Sequence, residues 1–236
     1  MLNDIRVIAF DADDTLWDNE PYFKRAEADM CEVLAPFVPS EVASERLFET
    51  EMKNLADYGY GAVAFTMSLI ENAITVSGGQ VPAEGIMRII EAGRRIMRQP
   101  ATPLPGVRET LQVLHDTGRY RLVIFTKGEL LTQQNKLKRS GLRPFFDKVF
   151  IMSDKQDDDY RELCQTLGIR PEQLLMVGNS LRSDILPALN IGAYAIHIPY
   201  AIMWQHEVIE DFEHEHLIRI KTFSEICQTI HSTARS

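Results

Sequence analysis

A chain of 236 residues, 45% hydrophobic and 25% charged, is long enough for one well-filled core or for a core domain with a smaller second one. Its net charge of -9 argues against a nucleic-acid-binding surface, and no apolar stretch approaches the length of a membrane span. Cys31, Cys164 and Cys227 form neither a CxxC pair nor a disulfide framework, and Asp4 and Asp11 interrupt any signal-peptide pattern, so a cytoplasmic, reducing location is expected.

In chain order, Ile5–Asp11 is predicted as a buried strand that runs into Asp11-Ala12-Asp13-Asp14-Thr15-Leu16. Helical spacing then follows over Tyr22–Leu34, Pro39–Ala56, Val63–Val76 and Pro82–Met97, with Tyr58-Gly59-Tyr60-Gly61 read as a loop between the second and third helices. Past Pro103–Pro105 the pattern changes to alternation. Helices are predicted over Val107–Thr117, Leu130–Ser140, Asp158–Leu167, Ser183–Asn190 and Phe223–His231. Strands are predicted over Arg121–Thr126, Lys148–Met152, Leu174–Gly178, Ala193–Ile198 and Leu217–Ile220. Such alternation implies an α/β fold with a Rossmann-like, mostly parallel sheet, into which an α-helical bundle is inserted after the first strand. The expected division is 1–17 and 100–236 for the sheet domain and 18–99 for the helices.

The chemistry concentrates at the predicted strand ends. Asp11 and Asp13 stand two residues apart, so period-2 geometry lets both carboxylates converge. Two acids there suit divalent-metal binding and a division of labour between nucleophile and general acid/base. Three other strands end in polar residues: Thr126, Lys127 and Gly128; Ser153, Asp154 and Lys155; and Gly178-Asn179-Ser180-Leu181-Arg182-Ser183-Asp184. In a parallel sheet these ends share one edge, where open α/β folds bind ligands.

The ordered set Phe10-Asp11-Ala12-Asp13-Asp14-Thr15, Ile124-Phe125-Thr126, Lys155 and Gly178 through Asp184 resembles the haloacid dehalogenase-like hydrolase superfamily, with the helical insertion corresponding to that family's cap. The resemblance implies a phosphatase. Asp11 is then the nucleophile that forms an aspartyl-phosphate, and Asp13 the general acid and base. Thr126 bonds the transferring phosphoryl group and Lys155 offsets its charge, with Lys127 also on the substrate side. Mg2+ is implied as cofactor, held by Asp11, the Asp13 carbonyl and Asp184, with Asn179 beside it. Asn179 stands where many relatives carry an acid, and Asp14 replaces a commoner glycine at a backbone position. The implied substrate is a small phosphorylated metabolite, and Tyr58 and Tyr60 are expected to contact its organic part.

Asp13 argues against a dehalogenase, since a halide leaving group needs no proton. A phosphomutase shares Asp13 and stays open, as does a regulatory phospho-switch, although receiver domains place the phospho-accepting Asp after a later strand and have no helical cap. Asp157-Asp158-Asp159 reads as an acidic helix start. His206, His214 and His216 match no structural zinc spacing. Trp17 reads as a packing residue between core and cap.

Overall fold

The computed structural model describes residues 2–233. Six strands form one sheet in the order β3-β2-β1-β4-β5-β6. They are β1 Val7–Phe10, β2 Arg121–Lys127, β3 Lys148–Met152, β4 Leu174–Gly178, β5 Tyr194–His197 and β6 Leu217–Arg219. Every neighbouring pair is parallel. The order reverses beside β1, and the crevice at such a reversal is where parallel sheets of this kind bind ligands.

β1 explains the sheet's burial. All four of its residues are fully buried, and they alternate between two cores. Ile8 and Phe10 join Leu122, Ile124, Leu175, Val177 and Ile196, while Val7 and Ala9 join Val123, Phe125, Leu174 and Met176. The first core is closed by α5 (Val107–Asp116), the end of α6 (Leu130–Ser140) and α9 (Ile226–Thr233). Tyr160, Leu163, Cys164 and Leu167 of α7 (Asp157–Leu167) and Ala188 of α8 (Leu186–Asn190) close the second. A parallel sheet needs helices on both faces, and the continuous apolar runs of its strands reflect that.

The chain divides into two compact units, one of Met1–Asp18, Ala101–Lys127 and Leu137–Ser236, the other of Asn19–Pro100 and Gly128–Lys136. The second contains α1 (Glu20–Leu34), α2 (Ser40–Tyr58), α3 (Ala62–Val76) and α4 (Ala83–Met97). They enclose a core of their own that includes Met30, Leu34, Leu47, Leu69, Ile89 and Ile96. Gly93 of α4 lets α3 come close, since a Cβ there would lie 2.0 Å from the Thr66 hydroxyl. The second unit also takes in Gly128–Lys136, which the sequence reading assigns to the sheet domain. Glu129 accounts for part of this, because its carboxylate accepts the N–H groups of Ala62 (3.2 Å) and Val63 (2.7 Å) at the start of α3. Buried Lys136 accounts for more, donating to Asn19 Oδ1 at 2.7 Å.

Three further elements differ from expectation. The strand predicted over Ile5–Asp11 is reduced to β1, so Asp11 lies one residue beyond it. The helix predicted over Ser183–Asn190 starts as a π-helical turn, Leu181–Ile185, before α8. The final helix opens as a 3₁₀ turn over Phe223–Glu225. Among the described residues no helix is long and apolar enough to cross a membrane.

Candidate active site at the strand ends

Asp11 extends the ladder of β1 by one bond, its N–H donating to Val177 O at 2.9 Å. Its carboxylate is buried. Oδ1 accepts from Lys155 Nζ at 2.6 Å, and Oδ2 lies 3.2 Å from the Thr15 hydroxyl. That hydroxyl is also 3.1 Å from Asn179 Oδ1, so it ties the loop after β1 to the loop after β4. Lys155, beyond the end of β3, is 1% exposed. Its ammonium also bonds the Asp184 carboxylate and donates to the Phe125 carbonyl at 3.3 Å. A lysine buried to this degree is held in its charged form only by such partners.

Asp184 enters from the π-helical turn, a distortion found often at functional sites. Its Oδ2 accepts the Ser180 N–H at 2.9 Å. Gly178 is obligatory here, since a Cβ on it would lie 2.3 Å from Asp184 Oδ2. Tyr160 of α7 backs the turn, its hydroxyl 3.0 Å from the carbonyl oxygens of both Ser183 and Asp184.

The electrostatics follow from crowding two buried carboxylates around one ammonium. Burial and the charge of Asp184 push the Asp11 carboxyl up to about 7, although the charge and hydrogen bond of Lys155 oppose this. Burial acts to lower Lys155, but Asp11 and Asp184 outweigh it and raise its pKa above the usual lysine value. A divalent cation held among these oxygens would offset the carboxylate repulsion.

Asp13 occupies a tight turn, in which Asp14 adopts a left-handed φ of 61° and donates its N–H to Trp17 O at 2.8 Å. Aspartate tolerates that conformation well, as its backbone role requires. The Trp17 indole, fully buried in the sheet unit, donates from Nε1 to Asp13 Oδ1 at 2.7 Å. Thr126 is buried in the penultimate position of β2. Lys127, expected on the substrate side, has its ammonium on Glu207 Oε1 (2.5 Å) and Ser183 Oγ (2.8 Å). Tyr58 and Tyr60 belong to the helical unit. Tyr58, half exposed, ends α2, and the chain turns through Gly59 (φ 68°) and Gly61 (φ 125°) into α3.

The oxygen donors fit Mg2+. Asp11 and Asp184 supply two carboxylates bridged by Lys155, and the Asn179 amide oxygen reaches the same cluster through Thr15. Among the described residues no group of three or more His, Cys, Asp or Glu side chains is placed to hold a metal ion. Asp157, Asp158 and Asp159 fill the first turn of α7, as the macrodipole favours, and Asp159 forms a capping box with Gln156.

The family described as haloacid dehalogenase-like hydrolase matches residues 5–192. The chain belongs to the haloacid dehalogenase-like hydrolases. A solved structure of a haloacid dehalogenase-like family hydrolase from Xanthomonas campestris is 32% identical, with a TM-score of 0.87, over 98% of this chain and 94% of that one. The chain is 28% identical to the glyceraldehyde 3-phosphate phosphatase of Methanothermobacter thermautotrophicus, covering 81% of itself and 84% of that relative. It is 29% identical to the phosphoglycolate phosphatase of Chromobacterium violaceum, covering 84% and 87%.

Within this family frame, the sequence reading gives Thr15 no contact role and takes Trp17 as packing only, and it passes over Tyr160 and Glu207. Thr15 and Trp17 lie four residues beyond Asp11 and Asp13, the separation that lets a tight turn bring side chains back together. That spacing was a usable signal. Tyr160 and Glu207 carried none, since each reaches the site only through the fold.

Proposed function

We propose that this chain is a Mg2+-dependent phosphatase that hydrolyses a small phosphorylated metabolite through an aspartyl-phosphate on Asp11. The observation that carries this reading is the buried Asp11–Lys155–Asp184 cluster at the sheet's reversal, with an anchored acid, Asp13, two residues from the nucleophile. The names of the two phosphatase relatives support a small phosphate ester as substrate.

The Asp11 carboxylate attacks phosphorus, and the bond from phosphorus to the ester oxygen breaks. Asp13 gives its proton to the departing oxygen. As a carboxylate, it then takes a proton from water, whose oxygen attacks the phosphoryl group and frees Asp11 together with inorganic phosphate. Thr126 donates a hydrogen bond to the transferring group, and Lys155 offsets its negative charge. Asp11, the Asp13 carbonyl and Asp184 would hold Mg2+, with Asn179 beside it, and the bound ion would supply Lewis-acid stabilisation to the phosphoryl group.

Phosphate release from a panel of small monophosphates, with Mg2+ and with chelator, tests this reading. Release in water without a bisphosphate activator is the expected result, whereas an absolute need for the activator identifies a phosphomutase. Asp184→Ala is expected to raise the Mg2+ concentration for half-maximal activity by at least about 10-fold, because a hard anionic ligand is lost and Asn179 is already neutral. An unchanged titration places the metal elsewhere.

The reading extends to the helical unit as a cap domain. Tyr58 and Tyr60 then contact the organic part of the substrate with apolar faces and hydroxyls. Tyr58→Ala and Tyr60→Ala are expected to reorder substrate preference across the panel while leaving the Mg2+ requirement intact. An unaltered profile in both variants removes the loop from specificity.

A further inference from the structure

The connection between β5 and β6 returns one carboxylate to the ends of two other strands. Glu207, 9% exposed, accepts three hydrogen bonds there. Lys127, the last residue of β2, donates to Oε1 at 2.5 Å. Oε2 takes the hydroxyl protons of Ser180 (2.5 Å) and Ser183 (2.6 Å), both in the turn that presents Asp184. Each hydroxyl also accepts a bond: Ser180 Oγ from the Ser183 N–H at 3.0 Å, and Ser183 Oγ from Lys127 Nζ at 2.8 Å. The same turn's Ser180 N–H holds Asp184 Oδ2. Side-chain and main-chain bonds thus run from Glu207 to the carboxylate expected to hold the cation.

We propose that Glu207 is a positioning residue for the metal site, fixing the Ser180–Asp184 turn and cancelling the charge of Lys127. The proposal rests on the reading of Asp184 as a Mg2+ ligand. Fixing matters because a π-helical turn has irregular hydrogen bonding, so its shape depends on partners outside it. Cancelling matters because the Lys127 ammonium bonds Ser183, the residue before Asp184. Without the Glu207 charge beside it, that ammonium opposes the arrival of a dication more strongly. Burial acts to raise the Glu207 carboxyl, but the charge of Lys127 and the three hydrogen bonds bring it down to about 2, so it is ionised across the working range.

Calorimetric titration of Mg2+ into the substrate-free full chain tests the proposal, beside melting in chelator and phosphate release. Glu207→Gln is expected to weaken Mg2+ binding by roughly 10- to 100-fold, the range typical of groups that orient metal ligands. The double variant Lys127→Met/Glu207→Gln, with both charges gone, is expected to recover part of that loss. Ser183→Ala, which leaves the Lys127–Glu207 pair in place, is expected to weaken binding less, and it carries the test if Glu207→Gln fails to fold. A purely structural Glu207 lowers the melting temperature in chelator but leaves Mg2+ affinity within about twofold of the parent, which overturns the proposal. A double variant that binds no better than Glu207→Gln overturns the charge-cancelling role. A parent that neither binds Mg2+ nor releases phosphate removes the functional reading itself, which separates that failure from this one.

Discussion

Asp11→Asn is expected to lose phosphate release by at least about 10⁴-fold while the fold persists, because an amide cannot form the aspartyl-phosphate. The same substitution is expected to make the metal-free chain more heat-stable above pH 7. In the folded chain Asp11 is held at about 7 against an ordinary 3.8, so ionising it there is costly. Its contribution is favourable below pH 3.8 and is lost as pH rises to about 7, leaving the full penalty above that point. Asparagine carries no proton to lose. Melting in chelator at pH 8 is expected to show Asp11→Asn above the parent by at least about 2 °C, the shift that roughly 1 kcal/mol produces in a chain of this size. Turnover near the parent rate refutes the nucleophile. A lower melting point refutes the crowding of the two carboxylates.

Asp13→Asn is expected to reduce turnover by about 10²- to 10⁴-fold with alkyl phosphates, whose leaving oxygen needs a proton. With an aryl phosphate the deficit in the first step shrinks to within about one order of magnitude, because that leaving group departs as a stable anion. Single-turnover measurements on matched alkyl and aryl esters isolate that step. Equal losses for the two classes show that Asp13 does not deliver the proton. Asparagine retains an oxygen able to accept from the Trp17 indole, so the turn itself is expected to survive.

The sheet was legible because its strands bury both faces, and Val7–Phe10, Leu122–Phe125 and Leu174–Val177 are correspondingly unbroken apolar runs. The four helices after Asn19 were legible from their spacing and from punctuation at Pro39, Pro82 and Gly78-Gly79. The π-helical turn at Leu181–Ile185 was not, since 3.6-residue spacing reads through a local change of winding. Asp11, Lys155 and Asp184 could be placed together because parallel strands deliver their ends to one edge. The engagement of Lys127 could not, because its partner lies 80 residues away in a polar stretch without periodicity. Glu129 was hidden for a related reason. A carboxylate at the start of one predicted helix gives no sign that it bonds the amides of another, 66 residues earlier.

The membership of Gly128–Lys136 in the helical unit has a consequence for grafting. An insertion that leaves a fold once and returns once can be excised or exchanged as a single cassette. Here the chain passes between its two units four times, after Asp18, Pro100, Lys127 and Lys136. A cassette limited to Asn19–Pro100 omits Glu129, which the start of α3 uses, and Lys136, whose buried ammonium bonds Asn19. Transplanting the helices from a relative therefore means transplanting two stretches of sequence. Substitutions at Glu129 or Lys136 likewise act on contacts whose other half, at Ala62, Val63 and Asn19, is encoded far upstream.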